Sequence, residues 1–206
     1  FDLEMAAEVA KRLNLAIAYQ PIAWDAKDME LDAGTIDCIW NGFTMNGRED
    51  DYEWSKPYMK NNQVFVVRGD SDITSEADLA GKNVEVQTDS SAEAALNDNS
   101  ELTATFAALT PVADYNTAFM DLESGAVDAI AMDDVVASYQ ITSRKADFKV
   151  LDDVIAAEEY GIGFKKGNTE LRDKVQATLE EMAADGTAAK ISEKWFGKDI
   201  TTINPL

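Results

Sequence analysis

The sequence predicts an α/β protein built as two lobes, and three observations carry that prediction. Helical and strand-like periodicities alternate almost from end to end, the pattern of α/β folds. The chain has 206 residues, 46% of them apolar, enough for two cores of roughly 100 residues each. Two segments, "ELDAGTIDCIWNGFT" (30–44) and "DLESGAVDAIAMDD" (121–134), share one logic. Each runs helix, glycine stop, aspartate, apolar strand, then polar residues at the strand's carboxyl end. Ligands of open α/β sheets bind at such strand ends, so the duplication suggests two crevices on two lobes facing across a cleft.

The elements follow in order. "FDLEMAAEVAKRLNL" reads as a helix with Leu3, Ala6, Ala10 and Leu13 on one face. "LAIAYQ" (15–20) reads as a strand, "DAKDMELDAG" (25–34) as a short helix stopped by Gly34, and "IDCIW" (36–40) as the next strand. "QVFVVR" (63–68) has the continuous apolar character of a buried strand. A capped short helix at "SEADLAGK" leads into the strand "NVEVQ" (83–87). Helices are then predicted at "SSAEAALND", "YNTAFMDLESG" (115–125) and "DDVVASYQITS", with the strand "VDAIAM" (127–132) between the last two. "YGIGFKKGN" (160–168) is a glycine-spaced strand. A long helix with Leu171, Val175, Leu179 and Met182 on one stripe comes next, and a final helix, "TAAKISEKWFG", places Trp195 and Phe196 in the core.

Composition excludes several function classes. With 39 acids against 18 bases the net charge is −21, a surface that repels nucleic acid. The acidity concentrates in residues 68–160, with 20 acids and 5 bases (net −15), while residues 161–206 balance at 7 and 7. That distribution gives a solvated acidic surface, or a field that attracts small cations. No histidine exists and Cys38 is the one cysteine. Ser-His-Asp chemistry, an internal disulfide and most transition-metal sites are therefore ruled out. Neither a metal nor a cofactor is expected, and Cys38 is expected to be a buried, inert thiol. No apolar run approaches the roughly 20 residues of a membrane helix.

The chemistry sits at the strand ends. Asn41, Gly42, Thr44 and Arg48 follow the first strand of the pair, and Asp133 and Asp134 follow the second. In "QTDSSAE" (87–93), Ser90 and Ser91 lie where a strand meets a helix amino terminus, which offers hydroxyls and N–H groups to an anion. Arg48, Thr44 and the Ser90–Ser91 helix start would hold a carboxylate, and Asp133 an ammonium. An α-amino acid carries both. Local alternatives exist: Arg48 could pair with Glu49–Asp51, Asp133 could cap its helix, and Ser90–Ser91 could be a plain capping pair.

"WNGFTMNGRED…WSKPY", "LAGKNVEVQTDSSAE", "LESGAVDAIAMDDVVA" and "YGIGFKKGNTELRDKVQATLEEMAADGTAAKISEKWFG" together resemble the bacterial extracellular solute-binding protein family 3, the polar amino-acid receptors of ABC importers. The resemblance spans essentially the whole chain. It implies a two-lobed periplasmic-binding-protein fold (Venus-flytrap, type II) with two hinge strands, near "QVFVVR" and "EEYGIGF". Lobe one would be residues 1–65 plus 162–206, and lobe two residues 66–161. It further implies a non-catalytic extracytoplasmic receptor, periplasmic or a cell-surface lipoprotein, that delivers its ligand to a transporter permease. Arg48 would pair with the ligand α-carboxylate, assisted by Thr44, the Gly42 backbone and Ser91. Asp133 would take the ammonium, Trp24 would pack along the ligand side chain, and Asn41 would lie near it.

Three departures from the family pattern stand out. Asp89 replaces the usual glycine before the two hydroxyl residues, and the Thr44–Arg48 loop is one residue shorter than in many relatives. Family members also begin with a strand and an aromatic-bearing loop ahead of the helix that opens here at Phe1. A chain lacking that strand is expected to expose apolar surface and unpaired strand edges; a monomer is otherwise expected, and a dimer is the alternative in that case. The acidic lobe and Asp25 favour a cationic amino acid, and Asn41 favours glutamine. A ligand-sensing module on the same fold and a dehydratase-like enzyme with an acid of raised pKa are the competing functions.

Overall fold

The computed structural model describes residues 1–205, and in it the chain divides into two compact units. The first comprises Phe1–Ile22, Ala26–Lys60 and Glu158–Leu206, and the second Ala23–Asp25 and Asn61–Ala157. The division falls at 60/61 and 157/158, against the 65/66 and 161/162 read from sequence. Both points lie inside continuous strands, β3 (Met59–Arg68) and β7 (Phe148–Phe164), so no turn or glycine marks them.

In the first unit, β1 (Cys38–Thr44) and the two-residue β2 (Glu53–Trp54) both pair antiparallel with the carboxyl half of β7. The glycine spacing of that half has a packing cause. A Cβ on Gly163 would lie 2.7 Å from the Phe43 ring, with Trp54 close behind at 3.5 Å. Phe43, Tyr52 and Trp54 form an aromatic cluster with centroids 4.7–5.2 Å apart. Helices α1 (Asp2–Arg12), α2 (Lys27–Ala33), α7 (Thr169–Ala184) and α8 (Thr187–Phe196) surround these strands. The α7 stripe is as read, with Val175, Leu179 and Met182 buried.

Three expectations for this unit are corrected. Helix α1 buries Met5 and Val9, while Leu3 is 57% exposed; the larger side chains one turn apart, rather than the alanines, face β1. Leu15–Gln20 is not a strand. No ladder forms along it, and Leu15, Ile17 and Tyr19 stay exposed. Trp195 is also outside the core, because its indole N–H donates to Glu4 Oε2 at 2.7 Å, whereas Phe196 packs on Phe1 at 5.3 Å.

In the second unit the sheet runs β3, β6 (Ala129–Asp133), β4 (Asn83–Gln87), β5 (Ala108–Val112). β3 is antiparallel to β6, and β6, β4 and β5 are parallel. One face carries Phe65, Val67, Val84, Val86 and Ala131 against Leu79 and α3 (Ser91–Asp98). The other carries Val66, Ile130 and Met132 against α5 (Tyr115–Ser124) and α6 (Asp134–Arg144). Covering on both faces is why "QVFVVR" reads as a continuous apolar run and why β6 is apolar from Ala129 to Met132. β5 went unread because "ALTPV" is largely exposed and contains proline, which an edge strand tolerates. A one-turn helix, α4 (Ser100–Thr103), precedes it. No helix among the described residues is long and apolar enough to cross a membrane.

Candidate functional site

Each unit carries a set of polar residues at a strand end. In the first, the five residues of β1 from Ile39 to Phe43 stand against only three of β7, from Gly163 to Gly161. The excess is taken up by a bulge in which Gly42 adopts φ +74°, with a Cβ position 3.1 Å from the Tyr160 ring. Only glycine fits there without strain. The Gly42 N–H faces the carboxylate of Asp2, at the start of α1, beside Tyr58. Asp2 Oδ1, Trp40 Nε1 and the Tyr58 hydroxyl are all buried there without a well-formed hydrogen bond. Burial raises the Asp2 carboxyl to about 6, against the opposing pull of Tyr58, the chain amino group and Gly42.

Asn41 is exposed beside the bulge, and Thr44 is buried one turn of the pleat on. The Thr44 hydroxyl donates to Glu158 Oε1 at 2.6 Å, an acid only 6% exposed. The short loop then folds back: Arg48 N donates to Met45 O, and Arg48 Nη1 donates to Thr44 O at 3.2 Å. The guanidinium lies 5.2 Å from the Phe43 ring centroid, and Trp54 Nε1 holds the Arg48 carbonyl at 3.0 Å. The loop therefore keeps Thr44 and Arg48 on one strand end. Cys38, at the far end of β1, has its thiol pushed up to about 12 by burial and by Asp37, so it stays protonated at neutral pH.

In the second unit the turn before α3 is tightly made. Asp89 takes φ +59°, the left-handed conformation that favours glycine and tolerates aspartate. Ser90 caps α3, its Oγ accepting from Glu93 N at 3.1 Å, and Glu93 Oε2 accepts from Asp89 N. Trp24 Nε1 donates to Asp89 O at 3.1 Å, which sets the indole against this turn. Asp133 ends β6, and its Oδ1 accepts from Asn61 Nδ2 at 2.9 Å and Gln63 Nε2 at 2.8 Å. Gln63 Nε2 also donates to Ser91 Oγ at 2.9 Å. Asn62 Nδ2 reaches Asp134 Oδ2 at 3.3 Å.

The structure thus groups Asn41, Gly42, Thr44 and Arg48 in one unit, and Trp24, Ser90, Ser91 and Asp133 in the other. Sequence reasoning missed Glu158, Asn61 and Gln63. The last two had a readable signal, a run of three amides, Asn61–Gln63, directly ahead of the apolar stretch of β3. Among the described residues no three or more acidic or thiol side chains cluster as a metal site would require.

The chain is similar to several known proteins. The L-cystine-binding protein TcyA of Bacillus subtilis is 33% identical over 203 residues, covering 98% of this chain and 74% of its own. The arginine-binding extracellular protein ArtP of the same organism is 30% identical over 201 residues, covering 95% and 77%. Among solved structures, a histidine-bound substrate-binding protein of an ABC uptake transporter from Streptococcus pneumoniae superposes with a TM-score of 0.93. It shares 33% identity and covers 98% of this chain and 84% of its own. An ancestral arginine-binding protein bound to arginine gives 0.86 at 35% identity, covering 95% and 87%. These relatives have the two-lobed periplasmic-binding-protein fold, which is the fold of this chain. The family model for bacterial extracellular solute-binding proteins, family 3, matches residues 1–198, and to that family the chain belongs.

Proposed function

We propose that this protein is the extracytoplasmic substrate-binding component of an ABC importer, capturing a polar L-amino acid without catalysis and passing it to a membrane permease. One observation supports the amino-acid reading most. Asp133 ends β6 with its carboxylate held by two neutral amides, Asn61 and Gln63, which leave its negative charge in place. In this reading it receives the ligand ammonium. Arg48 takes the α-carboxylate, with Ser91 and the first N–H groups of α3 in support, while the Thr44 hydroxyl, donated to Glu158, steadies the strand end beside it. Gly42 shapes the strand end, Trp24 packs along the ligand side chain, and Asn41 lies beside it. Charge-assisted contacts of about 1.5–3 kcal/mol each support micromolar affinity or better after the costs of ordering.

A cationic ligand fits best, with glutamine as the rival. Asp89 is exposed beside Trp24, which adds an acid to the same turn. Relatives bound to arginine, histidine and glutamine bracket that choice. The test is a thermal-shift panel of L-arginine, L-lysine, L-histidine, L-glutamine and L-cystine on the 206-residue chain. At a hundredfold excess over Kd the matching ligand should raise Tm by about 5–10 °C. A flat response to all five overturns the receptor reading.

A further inference from the structure

Asp133 stands where an aspartate ordinarily caps its own helix, and β3 diverts it. Two amides on β3, Asn61 and Gln63, donate to its Oδ1. They are two residues apart and so share one face of the strand. Gln63 is paired directly with Asp133 in the β3–β6 register. Gln63 is 0% exposed and Asn61 3%, and burying an amide is costly unless it is well bonded. The Gln63 NH2 has two hydrogens, and it also donates to Ser91 Oγ at 2.9 Å.

Two donors on one oxygen fix the plane of the carboxylate. Because both are neutral, they leave its negative charge in place. A lysine or arginine in the same position would neutralise that charge and compete with an incoming ammonium. The shared amide further ties Asp133 to the first residue of α3, so the ammonium acceptor and the helix start move as one piece. We infer that Gln63 is a positioning residue for amino-acid binding: its buried amide aims the Asp133 carboxylate at the ligand ammonium and couples it to Ser91. The inference rests on the receptor reading above.

The experiment is calorimetric titration of wild-type protein, Gln63→Leu, Asp133→Asn and the double variant. The probes are L-arginine, L-histidine, L-glutamine and L-cystine, each with its analogue lacking the α-amino group (5-guanidinopentanoate for arginine). Gln63→Leu should weaken the bound amino acid about tenfold and its deaminated analogue less than about threefold. In the Asp133→Asn background the same change should have almost no further effect. Equal losses on both ligands, or additive losses in the double variant, overturn the positioning role while leaving the receptor reading intact. Wild-type protein that binds none of the four, and L-lysine neither, overturns the receptor reading itself. If Gln63→Leu gives no cooperative melt, Asn61→Ala reads the same difference through the other amide.

Discussion

Residues 30–44 and 121–134 share one local pattern and meet different fates. Gly34 and Gly125 both end their helices in the left-handed conformation, at φ +75° and +80°, so the local grammar is identical. The strands that follow are not. β6 lies between β3 and β4, buried from Ala129 to Met132, and delivers Asp133 into a pair of buried amides. β1 ends the sheet order among the described residues, pairs only with β7, and bulges at Gly42. Its polar residues are steadied by an arginine folded over Phe43 and by a threonine bonded to Glu158 on β7. A flanked strand positions a side chain through register. An edge strand needs a bulge and a loop to do the same.

The largest test of that contrast removes the two charges. Arg48→Ala should lower amino-acid affinity at least about 100-fold, and Asp133→Asn about tenfold, both by calorimetry. A near-native Kd for Arg48→Ala would remove the edge-strand set from binding altogether. Next in size is the bulge. Gly42→Ala forces a methyl toward Tyr160 at positive φ and should cost about 1–3 kcal/mol of stability in urea unfolding. A cost below about 0.5 kcal/mol would show that the edge strand relaxes freely.

The smallest effect concerns pH, and each unit has its own buried acid. In the second, Glu85 on β4 is raised from 4.5 to about 7, by desolvation first and by Asp121 on α5 second. In the first, Asp2 is raised from 3.8 to about 6 by desolvation. Each folded pKa exceeds its unfolded value, so the folded state binds more protons and stability falls as pH rises. The Asp2 contribution is complete below pH 3.8 and lost through about 6; that of Glu85 is complete below 4.5 and lost through about 7. Urea midpoints across pH 4–8 should therefore decline, and Glu85→Gln should flatten the upper part of the decline while Asp2→Asn flattens the lower. Midpoints that rise across the range would contradict both.

What the sequence made legible follows the same divide. β3 and β6 were readable because covering on both faces leaves an apolar signature, and β4 because Val84 and Val86 alternate with polar residues. β2 is two residues long, and the amino half of β7 carries Asp152 and Asp153 among its apolar positions, so neither had one. Leu15–Gln20 had a strand's composition but pairs with no strand among the described residues, and composition does not report neighbours. The motif residues were found through the strand ends that hold them. Glu158 and Gln63 were not, since a buried polar side chain is defined by its partner. Those partners are 114 residues away for Thr44–Glu158 and 70 for Gln63–Asp133.

The crossings within β3 and β7 have a consequence for synthesis. The second unit is almost wholly one uninterrupted stretch, Asn61–Ala157, with only Ala23–Asp25 borrowed from earlier. The first is assembled from both sides of that stretch and takes two of its helices, α7 and α8, from residues after 168. Where a chain emerges amino end first and its domains fold as units in that order, the second unit has all its strands once Ala157 is out, while the first is still waiting for its last layer. The part of the protein that begins first is finished last.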